Sequence, residues 1–200
     1  MEQVRSFIAI ELPDEIKLAL VRLQDRLKSG KEYPVKWVDP YSIHLTLKFL
    51  GNVSMDSVGQ IANAMKKAAG GVSPFQLEIK GLGVFPNLSR VQVAWVGLSG
   101  NIGQLDQLQQ SLESDLASLG FAPESRPFKP HLTLARLRDR ALPDERNSFG
   151  QLITSTGFEV GHGFNVDSIN LMKSQLTRQG AVYSLIHSAP LRTPLSTVTV

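Results

Sequence analysis

The tetrapeptide HLTL occurs twice in this chain of 200 residues, at 44–47 and again at 131–134. The two copies contain two of the chain's four histidines. Imidazole has an unperturbed pKa of about 6.5, so it can act as an acid or a base near neutral pH. Two imidazoles can divide that work, since one takes a proton while the other gives one. The repeated motif therefore indicates acid–base chemistry at one shared site.

The threonine of each motif falls on the same face of a strand as its histidine, because residues i and i+2 share a face. His44 would project with Thr46, and His131 with Thr133, while the leucines of each motif point into a core. A threonine hydroxyl can donate to a non-bridging phosphate oxygen, and β-branching restricts its rotamers. Two acid–base groups and two hydroxyl donors suit in-line displacement at a phosphodiester, which needs a base, an acid and stabilisation of the phosphoryl oxygens.

Two basic residues follow the motifs and are candidates for binding a substrate. Lys48 shares a face with His44 in a regular strand, where it could attract an anion, although a solvated lysine explains it equally well. Arg136 would point to the opposite face of its strand, and would reach the site only if the strand bends or ends there.

Other interpretations of the motif are weaker. A single HxT on an alternating strand is most often only a strand, since threonine favours β structure; the second copy is what favours a site. A metal centre is not expected, because neither HExxH nor a carboxylate lies near either motif, and no cofactor is predicted. The absence of cysteine excludes thiolate catalysis, and no G-x-S-x-G elbow indicates a serine nucleophile.

The remaining histidines and the tryptophans are given structural interpretations. His162 lies between two glycines and is predicted to be in a turn. His187 is predicted to lie near the end of the last strand. Trp37 and Trp95 are predicted to be core residues rather than surfaces for stacking bases.

The elements that must position the motifs can be predicted from periodicity. Each HLTL strand follows a long helix, at 14–29 and at 101–119. A shorter helix is predicted between them, after Ser54. We therefore predict an α+β fold of two pseudo-symmetric lobes, each a mainly antiparallel sheet with outer helices, around a central cleft that holds both motifs. The predicted strands, loop and hairpin complete this arrangement: strands in VRSFIAIEL, YSIHLTLKFL, FQLEIKGLGVF and RVQVAWVGL, a loop over 138–163 with room for one short helix, and a terminal hairpin turning at 178–180.

Composition sets wider limits. No linker-like segment divides the chain, so 1–190 is expected to form one bilobal domain, with 191–200 as a tail of no assigned role. The formal charge of +3 suits an anionic ligand without requiring one. No apolar run approaches the roughly 18 residues of a membrane span, and the N-terminus does not resemble a signal peptide, so we expect a cytoplasmic protein with no membrane partner. We also expect a monomer.

At the level of whole motifs, the sequence resembles the two-histidine (2H) phosphoesterase superfamily, and within it the RNA 2′,3′-cyclic phosphodiesterases, or 2′-5′ RNA ligases. The resemblance rests on RSFIAIELP, HLTLKFLGNV, RPFKPHLTLAR and SQLTRQGAVYSLI, which occur in the expected order. It implies hydrolysis of a 2′,3′-cyclic phosphate to a 2′-phosphomonoester, with possible reverse 2′-5′ joining of RNA ends. It also implies that His44 is the proton donor, His131 the proton acceptor, and Thr46 and Thr133 the phosphate-holding hydroxyls, with Arg136 closing the second motif.

Three functional hypotheses remain open from the sequence. The first is a metal-independent cyclic phosphodiesterase that acts on RNA ends or small cyclic nucleotides. The second is another 2H phosphoesterase acting on a different cyclic phosphate or an ADP-ribose-type substrate, because the same four residues would serve it. The third is a non-catalytic RNA-binding module, which would hold the cyclic phosphate unchanged.

Overall fold

The computed structural model describes residues 3–177 and 180–192, with the backbone alone over 159–162. Within these residues the chain forms nine strands and four α-helices. In chain order they are β1 (Gln3–Glu11), α1 (Asp14–Lys28), β2 (Val35–Trp37), β3 (His44–Ser54), α2 (Val58–Gly70), β4 (Phe75–Phe85), β5 (Val93–Gly100), α3 (Ile102–Ala117), β6 (His131–Leu137), α4 (Pro143–Ser155), β7 (Glu159–Val166), β8 (Ser168–Leu176) and β9 (Ala181–Pro190).

The strands form two antiparallel sheets, and each sheet contains one HLTL strand. The first sheet has the order β3-β1-β8-β9 and the second the order β2-β6-β5-β4-β7. The first lobe thus combines both ends of the chain, while the middle of the chain supplies all of the second sheet except β2. The α+β fold with two antiparallel lobes, predicted from the sequence, is confirmed.

The helices cover the outer faces of the sheets. Helix α2 packs against α3 and against β8 and β9 of the first sheet, and α4 packs against β4 of the second. Helix α1 lies on the second sheet, where the Gln24 amide donates to the carbonyls of Val38 and Leu134 at 2.7 and 3.4 Å. Helix α3 contacts β3 of the first sheet, so the long helix before each motif packs against the sheet of the other lobe, which ties the two lobes together.

The core lies between the sheets and these helices. All four leucines of the two motifs are buried, as is the apolar face of α3 predicted from its period of 3.6 residues. Each motif strand thus has one face fixed in the core and the other free for a site. No helix in the described part of the chain is long and apolar enough to span a membrane.

Several local predictions were wrong. The segment 138–163, predicted as a loop with room for one short helix, contains more regular structure: its helix α4 has 13 residues, and β7 begins within it. His162 lies within β7 rather than in a turn. The short strand β2 was not predicted, because three residues carry too little periodicity.

At the C-terminal end of the chain, the predicted hairpin of β8 and β9 is confirmed, and His187 lies in β9 as expected. Two residues of its predicted turn, 178 and 179, lie outside the described residues. Most of the predicted tail, 193–200, lies outside them too, so the domain boundary at 190 stays a prediction. Leu191 itself is buried, and its amide donates to the carbonyl of Asp167.

Candidate active site

The two HLTL strands meet across the cleft between the sheets. Cα atoms of β3 and β6 approach within 8 Å of one another. A cavity of about 480 Å³ lies between them, and its lining includes His44, Thr46, His131, Thr133 and Arg136. The structure therefore brings together the four predicted residues of the two motifs and one of the two predicted basic residues.

A β-bulge lies at the last leucine of each motif. In the pairing of β3 with β1, Ala9 lies opposite Thr46 and Ile8 opposite Lys48, which leaves Leu47 without a partner. In the pairing of β6 with β5, the same shift leaves Leu134 without a partner. A bulge adds one residue to one strand, so the alternation of faces reverses after it.

The bulge removes Lys48 from the site, and the predicted orientation of this residue was wrong. Its side chain is only 2% exposed and lies on the core side of the strand. The Lys48 Nζ donates to the Glu113 carboxylate of α3 at 2.8 Å and to the carbonyl of Ala122 at 2.6 Å. Lys48 therefore connects β3 to α3 and to the segment that leads into the second motif.

The same reversal places Arg136 on the cleft face. The sequence predicted this position only if the strand bends or ends there. Arg136 is exposed and lines the cavity, and its guanidinium has no hydrogen bond or ion pair to any described residue. In the first lobe the equivalent position is Phe49, an exposed ring that also lines the cavity. The polar residues that the two lobes have in common on the cleft face therefore end at the threonines.

Both imidazoles are held in the same way. His44 Nδ1 lies 2.9 Å from the carbonyl oxygen of Ser42, and His131 Nδ1 lies 2.7 Å from that of Lys129. A carbonyl oxygen can only accept, so each Nδ1 carries a proton and donates it. The Nε2 atom of each ring is then the one available to a substrate, as a base when neutral and as an acid when protonated.

Aromatic rings fix the planes of the imidazoles. Phe7 stacks on His44 with centroids 4.6 Å apart at 25°, and Tyr183 meets the same ring edge-on at 5.0 Å. Phe85 meets His131 edge-on at 5.0 Å. These rings were not identified from the sequence. For Phe7 a signal existed, because RSFIAIEL is apolar on both faces of its strand, which indicates a second apolar surface facing the cleft.

Burial lowers the pKa of both histidines below the ordinary value of 6.5, because it penalises the charged imidazolium. The hydrogen bond to the backbone carbonyl opposes that effect at each ring. The two sites differ in their charged neighbours: the Glu11 carboxylate raises the pKa of His44, while the Arg136 guanidinium lowers that of His131. The charged neighbours thus act in opposite directions at the two rings, while burial, the larger cause, lowers the pKa of both.

The tryptophans differ from each other. Trp37 packs against the core beside Phe149, as predicted. Trp95 instead lies opposite Thr133 in the pairing of β5 with β6, and so on the cleft face. Its indole is 5.1 Å from the Phe85 ring that contacts His131. Among the described residues, no three His, Asp or Glu side chains lie close enough together to hold a metal ion.

The sequence model of the LigT-like phosphoesterase family matches this chain twice, over residues 10–95 and 96–183. Each matched segment contains one HLTL motif, which agrees with the two equivalent bulged strands. The chain belongs to the LigT-like phosphoesterase family. The two matched segments do not coincide with the two lobes, since their boundary falls within β5 and the first lobe takes its last strands from the end of the chain.

Relatives of this LigT-like chain match it over nearly its whole length. The protein of Methanothermobacter thermautotrophicus named RNA 2′,3′-cyclic phosphodiesterase is 36% identical over 183 residues, which cover 91% of this chain and 96% of that protein. The protein of the same name from Aeropyrum pernix is 38% identical over 170 residues, covering 84% and 92%. The structure of E. coli LigT complexed with 3′-AMP superposes with a TM-score of 0.72 at 26% identity, covering 96% of this chain and all of that one.

Proposed function

We propose that this protein hydrolyses the 2′,3′-cyclic phosphate of RNA ends or nucleotides to a 2′-phosphomonoester. The observation that supports it most is the cavity that contains two imidazoles and two threonines, with each imidazole Nδ1 donating to the backbone. The relatives named RNA 2′,3′-cyclic phosphodiesterase support the same activity.

In the proposed reaction, His131 is the base and His44 the acid. Water attacks phosphorus in line with the departing O3′; its proton passes to Nε2 of His131, while Nε2 of His44 gives a proton to O3′ as the P–O3′ bond breaks. Thr46 and Thr133 donate to the non-bridging oxygens, and Arg136 stabilises the negative charge that they carry. The product keeps its phosphate on O2′, and attack by the 5′-hydroxyl of a second RNA end in place of water would join the two ends through a 2′-5′ linkage.

The assignment of acid and base gains support from the charged neighbours. A carboxylate favours a charged imidazolium and a guanidinium disfavours it. Glu11 acts on His44 and Arg136 on His131, so the charged neighbours favour the protonated ring required of the acid at His44 and disfavour it at His131, while burial lowers the pKa of both rings. This argument is independent of the sequence resemblance, which gives the same roles.

The test is turnover of 2′,3′-cyclic AMP by the purified protein, with chromatographic separation of 2′-AMP and 3′-AMP. We expect mainly 2′-AMP, formed at the same rate in excess EDTA because proton transfer to the leaving oxygen makes a metal unnecessary. Mainly 3′-AMP would refute the placement of O3′ beside His44. Tight binding without turnover would favour the RNA-binding module, and turnover restored only by an added metal would refute the metal-independent mechanism.

The cellular setting is also part of the proposal. We expect a monomeric enzyme. We expect it in the cytoplasm, acting as one bilobal domain over 1–190. Sedimentation of the purified protein tests the first expectation: a stable dimer would contradict it.

A further inference from the structure

A second cavity adjoins the one between the HLTL motifs. It has a volume of about 660 Å³ and shares His44, Arg136 and Tyr183 with the first. We call it the side cavity; its own residues include Glu11, Lys17, Lys36, Asp39 and Tyr41. Because the two cavities share a wall, a ligand in the first can extend into the second without leaving the protein surface.

The side cavity contains two cations placed directly opposite one another. In the pairing of β2 with β6, Lys36 is the cross-strand partner of Arg136, so both side chains project from the same face. Like charges opposite each other in an antiparallel pair repel. Among the described residues, no carboxylate lies within 4 Å of either cation. An anion between the two would convert this repulsion into attraction.

The carboxylates of the side cavity are already engaged. Glu11 accepts a hydrogen bond from the Asn170 amide, and Asp39 accepts one from the backbone amide of Tyr41. Lys17 lies 3.6 Å from Asp14 of its own helix. These hydrogen bonds leave the charges of Glu11 and Asp39 in place, but neither carboxylate forms an ion pair with Lys36 or Arg136, so the positive charge of the cross-strand pair lacks a counter-ion among the described residues.

The chemistry of the substrate indicates which anion belongs there. A 2′,3′-cyclic phosphate occupies the 3′ end of an RNA, so the strand can continue only from the 5′ oxygen of the same nucleotide. The next negative charge along the strand is the phosphate on that oxygen. Arg136 lines both cavities, so the two phosphates of one nucleotide can lie on either side of its guanidinium.

We propose that the side cavity binds the 5′-phosphate of the terminal nucleotide, held between Lys36 and Arg136, and that the protein thereby prefers RNA ends to free cyclic nucleosides. This inference rests on the proposed function, which places the cyclic phosphate between the HLTL motifs. Tyr41, whose side chain is 58% exposed at the rim of the side cavity, presents a ring on which the preceding base stacks.

Binding of two small probes tests the subsite without any turnover. Adenosine 3′-phosphate and adenosine 3′,5′-bisphosphate differ only by the 5′-phosphate, and calorimetry gives their dissociation constants. We expect the bisphosphate to bind roughly fivefold more tightly, the effect of one solvent-exposed charge contact. Lys36→Ala should remove this preference, whereas Lys66→Ala, an exposed lysine of α2 outside both cavities, should keep it. Equal binding of the two probes by the natural protein, or a preference that survives Lys36→Ala, would overturn the proposal.

Turnover provides the second measurement. The dinucleotide ApA with a terminal 2′,3′-cyclic phosphate should have a higher kcat/KM than 2′,3′-cyclic AMP, and Lys36→Ala should bring their ratio close to one. The logarithm of that ratio should fall with the logarithm of salt concentration with a slope of about −0.7, as for one phosphate contact of a single strand. A ratio of one in the natural protein refutes the subsite. Absence of turnover on both substrates refutes the proposed function, while the binding comparison still decides the subsite.

Discussion

Phe49 and Arg136 occupy equivalent positions in the two lobes, each as the first cleft-facing residue after a bulge. Phe49 pairs with Phe7 of β1, and Arg136 pairs with Val93 of β5. The two motifs match residue for residue; on the cleft face the lobes first differ at this pair, with an aromatic ring in one lobe and a guanidinium in the other. Two chemically identical histidines therefore have different electrostatic surroundings, which is what an acid and a base require.

The first prediction concerns the imidazoles. His44→Ala and His131→Ala should each lower kcat/KM for 2′,3′-cyclic AMP by on the order of 10²–10⁴-fold, the usual loss when a general acid or base is removed. The double variant should lose less than the product of the two factors, because the pair acts as a unit. His187→Ala is the matched control, since this histidine of β9 lines neither cavity. Full activity in either variant, with an unchanged circular dichroism spectrum, would eliminate the acid–base pair.

The second prediction concerns the charges that distinguish the two rings. Glu11→Gln should lower the pKa of His44, because it removes a carboxylate that raises it. Arg136→Gln should raise the pKa of His131, because it removes a cation that lowers it. NMR titration of the imidazole signals measures both, and the chain's four histidines make assignment simple. The His187 signal is the internal reference. A shift of opposite sign at either ring would contradict the electrostatic argument for their roles.

The sequence predicted the lobes, helices α1 to α3 and the four motif residues, because each of these follows from periodicity or repetition. The alternation of residues in the first motif strand predicted the direction of the side chains correctly as far as Leu47 and incorrectly at Lys48. The position of a bulge is determined by the pairing with a neighbouring strand, and no local pattern in HLTLKFL predicts it. The same lack of local information left Arg136 uncertain, and hid the cross-strand pair with Lys36, which depends on the unpredicted strand β2.

The third prediction follows from the lowered pKa values. The unfolded chain takes up protons on His44 and His131 near pH 6.5, whereas the folded chain does so only at lower pH. Acid therefore favours the unfolded state. The contribution of the two histidines to the free energy of unfolding is constant above this pH, decreases as the pH falls toward the folded pKa values, and levels off below them. Urea unfolding at several pH values should show this loss. A His44→Asn/His131→Asn variant should show a shallower fall, and an unchanged slope would contradict the prediction.

The fourth prediction concerns the ion pair that anchors β3. Glu113 accepts from Lys48 Nζ and from the amide of Glu124, and it is only 14% exposed. Lys48→Met would leave that carboxylate without its cation and should lower the free energy of unfolding by about 3–5 kcal/mol. Lys67→Met is the matched control: its partner Asp115 is also on α3, but Lys67 is 77% exposed, so the cost should stay within about 1 kcal/mol.

A double-mutant cycle separates the pair from its parts. Lys48→Met combined with Glu113→Met should recover much of the lost stability, because the unpaired carboxylate is removed with its cation. Urea unfolding of the four proteins provides the comparison. If the double variant is as unstable as the sum of the singles, the two side chains act independently and the interpretation of this pair as the link between β3 and α3 is wrong.

The last prediction concerns the contact beneath the second histidine. Gly83 of β4 lies opposite Trp95, and a Cβ at Gly83 would lie 2.2 Å from the indole atom Cζ2. Gly83→Ala must therefore displace the indole, and with it Phe85, whose ring borders His131. Such overpacking costs about 1–3 kcal/mol, and the displaced ring should also lower kcat.

Gly59→Ala in α2 is the control, because its Cβ meets nothing within 4 Å; stability should be equal or up to about 1 kcal/mol higher. Tryptophan fluorescence, urea unfolding and kcat measure the three effects, and a Gly83→Ala protein that matches the natural one in all of them would show that the indole does not support the site.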